Sequence, residues 1–293
     1  MALNAKIYCS LDIEGTGLDP TKDHIIEVGA VLFELDKNGE IKSGKEFSQL
    51  VKSPIPIPPF IQDLTGIREA DLADAPEWED VRPKFEKFIG KHVIVGQNVQ
   101  FDLSFLTSRG MKFTAPVIDT KELAQIFLPQ ARFYNLEYLL RFLGVPLISH
   151  HRALDDSKSA ANLLQQIIFA FRRLPQDTQM KISHLLAASN LSFKELFKPG
   201  SAPASLSAQA QPPVLKDSTD AAVGRQGSLF GEKPGRKSSF ATHVDRSQLE
   251  RIFSAPGNFL VNLPLVLSNF ATVENLMVEV VSRNLEVALA LDT

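Results

Sequence analysis

Cysteine is nearly missing from this chain of 293 residues, which carries Cys9 alone. One thiol cannot build a disulfide framework or a zinc site made of several thiolates, and a lone thiol suits a reducing cytosol. An excess of positive charge is missing too. The 31 Lys and Arg against 34 Asp and Glu give a net charge of -3, with a pI near 6.1. That excludes a globally basic nucleic-acid coat but not a local phosphate site, because metal ions can supply the positive charge. Long apolar runs are lacking as well. Even FLVNLPLVLSNFATV is interrupted by Asn262, Pro264 and Asn269, so no segment is expected to span a bilayer. The N-terminus MALNAKIYCSLDIEG has no apolar core of the signal-peptide kind. A soluble cytoplasmic protein with no membrane partner is the expectation. What remains is 44% hydrophobic and 8% aromatic content, too apolar for wholesale disorder, over a length that fits one or two domains.

The first part of the chain predicts strands. IYCSLDI (7–13) and HIIEVGAVLFEL (24–35) are rich in β-branched and aromatic residues and are separated by the turn-like GTGLDPTKD. KEFSQLV (45–51) predicts a third strand, set off by a hairpin signal at Asn38-Gly39. SPIPIPPF (53–60) reads as a stiff connector, and EWEDVRPKFEKFIG (77–90) spaces Val81, Phe85, Phe88 and Ile89 as on one helix face. HVIVGQN is a short buried strand, FDLSFLTSRG a helix stopped by Gly110, and APVIDT another short strand; helical patterns follow at 135–144 and 153–174. Strands first, then strand alternating with helix, imply an α/β fold with a mixed sheet. Residues 1–174 form the expected main domain, 175–198 a helical extension, 199–244 a flexible Ser-, Ala-, Pro-, Gly- and Gln-rich linker, and 245–293 a further apolar, helix-like segment.

Three short stretches carry chemistry. DIEGTG puts Asp12 and Glu14 two apart at a strand end, where alternation turns both side chains to one face. Two carboxylates so close repel unless a cation lies between them; the bland alternative is a solvated strand end. In VIVGQNVQFDLSFL, Asp102 opens a helix, either as a functional carboxylate or as an ordinary partner of the helix dipole. Asn98 is either a site residue or simply the helix cap. In HHRALDDSKSAANLL, His150 and His151 precede a helix whose first turn holds Asp155 and Asp156, again open to a plain dipole reading.

Taken in order, DIEGTG, HIIEVGAV, VGQNVQFDLSFL and HRALDDSKSAANLL resemble the DEDDh branch of the DnaQ-like 3′–5′ exonucleases, over about residues 6–173. The resemblance implies a ribonuclease H-like fold, a mixed five-stranded sheet flanked by helices. It implies Asp12, Glu14, Asp102 and Asp156 as metal-binding carboxylates, and the family's histidine-to-aspartate spacing of five selects His151 as general base over His150. It also implies two Mg²⁺ or Mn²⁺ ions, roughly 3.5–4 Å apart, and a substrate of single-stranded nucleic acid 3′ ends. In similar enzymes the turn Thr16, Gly17, Leu18 meets the terminal nucleotide, with Leu18 wedged against its base and Phe101 adding an apolar contact; packing in the core is the alternative for both. Asn98 joins the expected substrate contacts. Gly15 stands where the family often has threonine, and Gln97 where histidine is frequent, which bears on nucleotide preference.

Beyond the nuclease region, residues 249–293 resemble the segment between nuclease and helicase in DinG-type exonuclease–helicase proteins. No G-x-x-x-x-G-K-[ST] motif occurs, so a helicase domain would lie outside this chain and no nucleotide hydrolysis is expected of it. A proofreading subunit of a replicative polymerase is the second setting, and a nuclease fold kept as a nucleic-acid-binding or docking module the third. In the linker, Gln226, Gly227, Ser228, Leu229 and Phe230 resemble the short peptide by which bacterial replication and repair proteins dock on the sliding clamp, with Leu229 and Phe230 as apolar anchors. Chance, or simple tacking of the linker onto the nuclease, is the alternative.

Overall fold

A computed structural model describes residues 6–129, 131–146, 151–187, 189 and 191–201. The expectations for 202–293, the clamp-like peptide and the helicase-like segment among them, lie outside the described residues, as does His150.

Three antiparallel strands come first: β1 (Ile7–Gly15), β2 (Ile25–Leu35) and β3 (Ile41–Leu50). The expected hairpin turn joins β2 to β3, with Gly39 at φ 77 and the Asp36 carboxylate accepting from the Asn38 and Glu40 amides at 2.7 and 2.8 Å. Two short strands, β4 (Val93–Gly96) and β5 (Val117–Asp119), add in parallel on the other side of β1, giving the order β3-β2-β1-β4-β5. The sheet is therefore mixed and five-stranded. β2 is covered on both faces and is apolar almost throughout, whereas edge strand β3 is largely exposed and carries Lys42, Lys45 and Glu46, charges that discourage edge-to-edge pairing with another chain.

Helices cover both faces. Against one lie α3 (Trp78–Ile89) and α4 (Gln100–Ser108), burying Val81, Phe85, Phe105 and Leu106 over Cys9, Leu11 and Ile13 of β1. Against the other lie α5 (Thr120–Phe127), α6 (Leu136–Phe142), the long α7 (Ala153–Arg172) and α8 (Gln176–Ala187). Packing runs on past Leu174: Phe197 is fully buried and stacks on Phe127 at 4.1 Å between centroids, with Phe171 edge-on to both rings.

Two stretches differ from expectation. The proline-rich connector is extended only in its first part, because Pro59 opens α1 (Pro59–Thr65), where a fixed φ and a missing N–H suit a helix start. A short α2 (Glu69–Leu72) follows, and Ile57, Ile61, Ile67 and Leu72 form a small separate core. Helix α5 was not evident from the sequence: it has only eight residues, and although Lys121, Glu122 and Gln125 share one side, about two turns are too few to establish a period.

Candidate active site

Strand alternation decides which way the acidic residues of β1 point. Cys9, Leu11 and Ile13 pack under α3 and α4, while Tyr8 packs on the α7 side; Asp12 and Glu14 share Tyr8's parity and face α7. Asp102, in the first turn of α4, reaches in from the opposite face. Its Oδ1 accepts the Ile13 N–H at 3.0 Å, between the two acidic residues of β1. Asp156, in the first turn of α7, accepts the His151 N–H at 3.1 Å. Glu14, His151 and Asp156 each offer a ligand atom, all within 4.8 Å of one another. Residues from three distant segments thus meet at one end of β1.

The electrostatics of this cluster are lopsided. Burial holds the Asp12 carboxyl well above the usual range, and the carboxylates of Asp102, Glu14, Asp156 and Glu27 push it further. Burial likewise lifts Glu14 to about 8, helped by Asp156, Glu27 and Asp102 and opposed by Arg152. Asp102 also rises to about 8 through burial, against the hydrogen bond from Ile13 and with Asp119 and Asp156 adding to the rise. Crowded, desolvated carboxylates are unfavourable as anions unless a cation joins them. Oxygen donors from separate segments, with an imidazole beside them, fit hard divalent ions.

The expected substrate contacts fall into two groups. Leu18 is 48% exposed, so core packing does not account for it; Phe101 is half-buried, with its ring 5.0 Å from that of Phe105. Thr16 is buried, and its hydroxyl holds the turn by donating to Asp23 at 3.2 Å and accepting the His24 N–H at 2.9 Å. Gly17 packs so close to Asp23 that a Cβ would lie 2.4 Å from its carboxylate. Both residues therefore shape the turn that presents Leu18. Asn98 is exposed and is not the helix cap. It sits at φ 57, its side-chain oxygen accepts from Lys121 Nζ at 3.1 Å, and the capping carboxylate is Asp119, which takes the Asn98 and Val99 amides at 3.0 Å each. Both ends of the Gln97 amide are engaged inside the protein, by Thr120 and the Tyr134 carbonyl.

Sequence reasoning missed three residues that build this site: Asp119, Glu27 and Arg152. Glu27 left a visible signal, a carboxylate inside the apolar run of β2.

A ribonuclease H-like fold with an acidic cluster at the end of its first strand defines a class of nuclease. Residues 9–164 match the Exonuclease family of RNase T type, more than half of the chain, and the chain belongs to that family. It is 36% identical over 193 residues to the PolC-type DNA polymerase III of Caldanaerobacter subterraneus subsp. tengcongensis, and 35% identical over 196 residues to that of Clostridium perfringens. Each match covers 64% of this chain but 13% of the polymerase, so the likeness concerns a small part of those proteins. Among solved structures, the zinc-bound complex of E. coli exonuclease I with single-stranded DNA aligns with a TM-score of 0.50 at 16% identity, over 63% of this chain and 45% of that one. At that identity the likeness is one of fold. Among the described residues, no helix is long and apolar enough to cross a membrane.

Proposed function

We propose that this chain is a metal-dependent exonuclease that hydrolyses phosphodiester bonds from the 3′ end of single-stranded DNA or RNA and releases nucleoside monophosphates. The observation that carries the reading is the convergence of four carboxylates and one histidine from distant segments of an Exonuclease-family fold, with Asp12, Glu14 and Asp102 poorly tolerated as anions without a cation. Asp12, Glu14, Asp102 and Asp156 would hold two Mg²⁺ or Mn²⁺ ions. Such a pair, when bound, activates water and neutralises charge on the attacking and leaving oxygens. His151 is the general base, taking the proton of the attacking water at a ring nitrogen, since an ordinary imidazole titrates near neutral pH. Its backbone bond to Asp156 keeps the ring beside the carboxylates. Leu18, exposed on its braced turn, and Phe101 meet the base of the terminal nucleotide, with Asn98 beside them. The test is digestion of 5′-labelled single-stranded DNA and RNA with Mg²⁺ or Mn²⁺, with Asp12→Ala as control. Stepwise shortening from the 3′ end is expected, absent in the variant. Intact substrate, bound but uncut by the unaltered chain, would instead make it a binding module.

The setting is replication or repair. The likeness of residues 249–293 to DinG-type proteins supports a nuclease joined to a helicase, and the relatedness to PolC-type polymerases supports proofreading. Residues 226–230 are the proposed docking peptide for a sliding clamp. Calorimetry against a bacterial clamp should show micromolar binding that disappears in Leu229→Ala/Phe230→Ala, and equal binding by that variant would discard the motif.

A further inference from the structure

Glu27 is a fifth carboxylate of this region, sealed like Asp102 whereas Asp12, Glu14 and Asp156 are half-buried, and it differs from the other four in what surrounds its oxygens. It lies on β2 directly across from Glu14 and is 1% exposed. Arg152 Nε donates to both of its oxygens at 3.2 Å, Arg152 Nη2 donates to Oε1 at 2.8 Å, and the Ala153 N–H donates to Oε2 at 3.0 Å. Donors therefore occupy both oxygens, and no lone pair is presented to a cation in the way that Glu14 and Asp156 present theirs.

The position of these donors in the chain gives the contact its meaning. Arg152 and Ala153 stand between His151 and Asp156, at the point where the loop becomes α7. A second contact from β2 fixes the same point. Gly29 pairs with Asp12 in the β1–β2 ladder, and a Cβ on it would lie 2.1 Å from the Leu154 nitrogen and 2.2 Å from the Ala153 carbonyl carbon. The start of α7 thus rests on bare backbone at Gly29 and is held laterally by Glu27. His151, immediately before the clamped residues, has φ 58, a left-handed conformation that is unfavourable for a residue with a Cβ. Something must over-determine it.

We infer that Glu27 and Arg152 are positioning residues: a forked ion pair, buried on the Glu27 side and open to solvent on the Arg152 side, that pins the first turn of α7 to β2 and so sets His151 and Asp156 in register with Asp12 and Glu14. The inference rests on the exonuclease reading for its kinetic consequences, but not for its structural ones. Partners of this kind, one step removed from the ligands, are worth about 10–100-fold in metal affinity or activity.

The test compares Glu27→Ala, Glu27→Gln, Arg152→Ala and Arg152→Lys with the unaltered chain in three measurements: kcat and KM on a 5′-labelled oligonucleotide, Mn²⁺ affinity by calorimetry without nucleic acid, and the thermal midpoint. Glu27→Ala is expected to lower kcat and Mn²⁺ affinity by about 10–100-fold each, with KM for the oligonucleotide within about twofold. Glu27→Gln keeps an acceptor for the Ala153 N–H and should lose less. Arg152→Lys keeps the charge without the fork and should recover part of the Arg152→Ala loss. Glu27→Ala/Arg152→Ala should be no worse than Glu27→Ala, since the two act as one unit. Should Glu27→Ala fail to fold, Arg152, whose side chain is 47% exposed, carries the test. Unchanged kcat and Mn²⁺ affinity in folded Arg152→Ala, or a loss confined to the thermal midpoint, overturns the inference. If the unaltered chain cuts nothing, the exonuclease reading fails by itself, and Mn²⁺ affinity across the same variants still decides whether the pair positions the carboxylates.

Discussion

Helices α4 and α7 each bring one aspartate to the acidic cluster from its first turn, and their starts are built alike. Each is preceded by a residue in the left-handed region, Asn98 at φ 57 and His151 at φ 58, the two non-glycine residues of positive φ among those described. Each start is also held by a carboxylate on another strand, Asp119 of β5 for α4 and Glu27 of β2 for α7. The difference lies in the surroundings. Asp119 is half-buried, binds backbone amides and also caps α5 through the Lys121 N–H at 2.8 Å. Glu27 is sealed in the sheet and matched by a cation. An anchor at the rim can rely on amide dipoles, whereas one in the interior needs a counter-charge.

If the two helices serve one site, Asp102→Ala and Asp156→Ala should be equally severe. Both are expected to bring digestion of a labelled oligonucleotide down to background, and full activity in either variant would remove its helix from the site. Next in size comes the pair of left-handed residues, where the helices should part company. His151→Ala is expected to lower turnover by about 10²–10⁴-fold and to abolish the acidic limb of the pH–rate profile. Asn98→Ala should weaken substrate binding instead. A greater loss in His150→Ala than in His151→Ala would show that the motif is aligned one residue off.

A titration of stability comes third. Glu14 and Asp102 sit at about 8 in the fold, against ordinary values of 4.5 and 3.8. Between those limits the folded, metal-free chain holds protons that the unfolded chain has released. Its stability should therefore fall as pH rises from about 4.5 to about 8. Saturating Mg²⁺ should flatten that slope by taking the place of the protons, and thermal midpoints measured with and without the ion at several pH values check the sign. The smallest effect is expected from Asp119→Ala, which strips the cap from α4 and α5. It should cost about 0.5–2 kcal/mol in denaturant unfolding, the usual range for a lost cap.

The layout of the sheet was legible because its strands are written in β-branched and aromatic residues, and the acidic residues because they interrupt or end those runs. Alternation along β1 was enough to put Asp12 and Glu14 on one face. What escaped was long-range. Glu27 was plainly odd within IIEVGAVLFEL, but its meaning depends on Arg152, 125 residues away. The reading of Asn98 as a cap failed for a similar reason, since the capping oxygens belong to Asp119, about 20 residues later. Helix α5 hid because its eight residues make only about two turns, too short a stretch for its period to stand out beside the strand before it.

Cys9, the single thiol of the chain, lies near the start of β1 with no exposed surface, and burial pushes its thiol up to about 12. At neutral pH almost no thiolate is present there to react. The chain therefore offers a silent background for labelling. A cysteine placed at Leu18, 48% exposed on its braced turn, would be the one readily alkylated thiol among the described residues, and a dye attached there would sit where a strand terminus is expected to arrive.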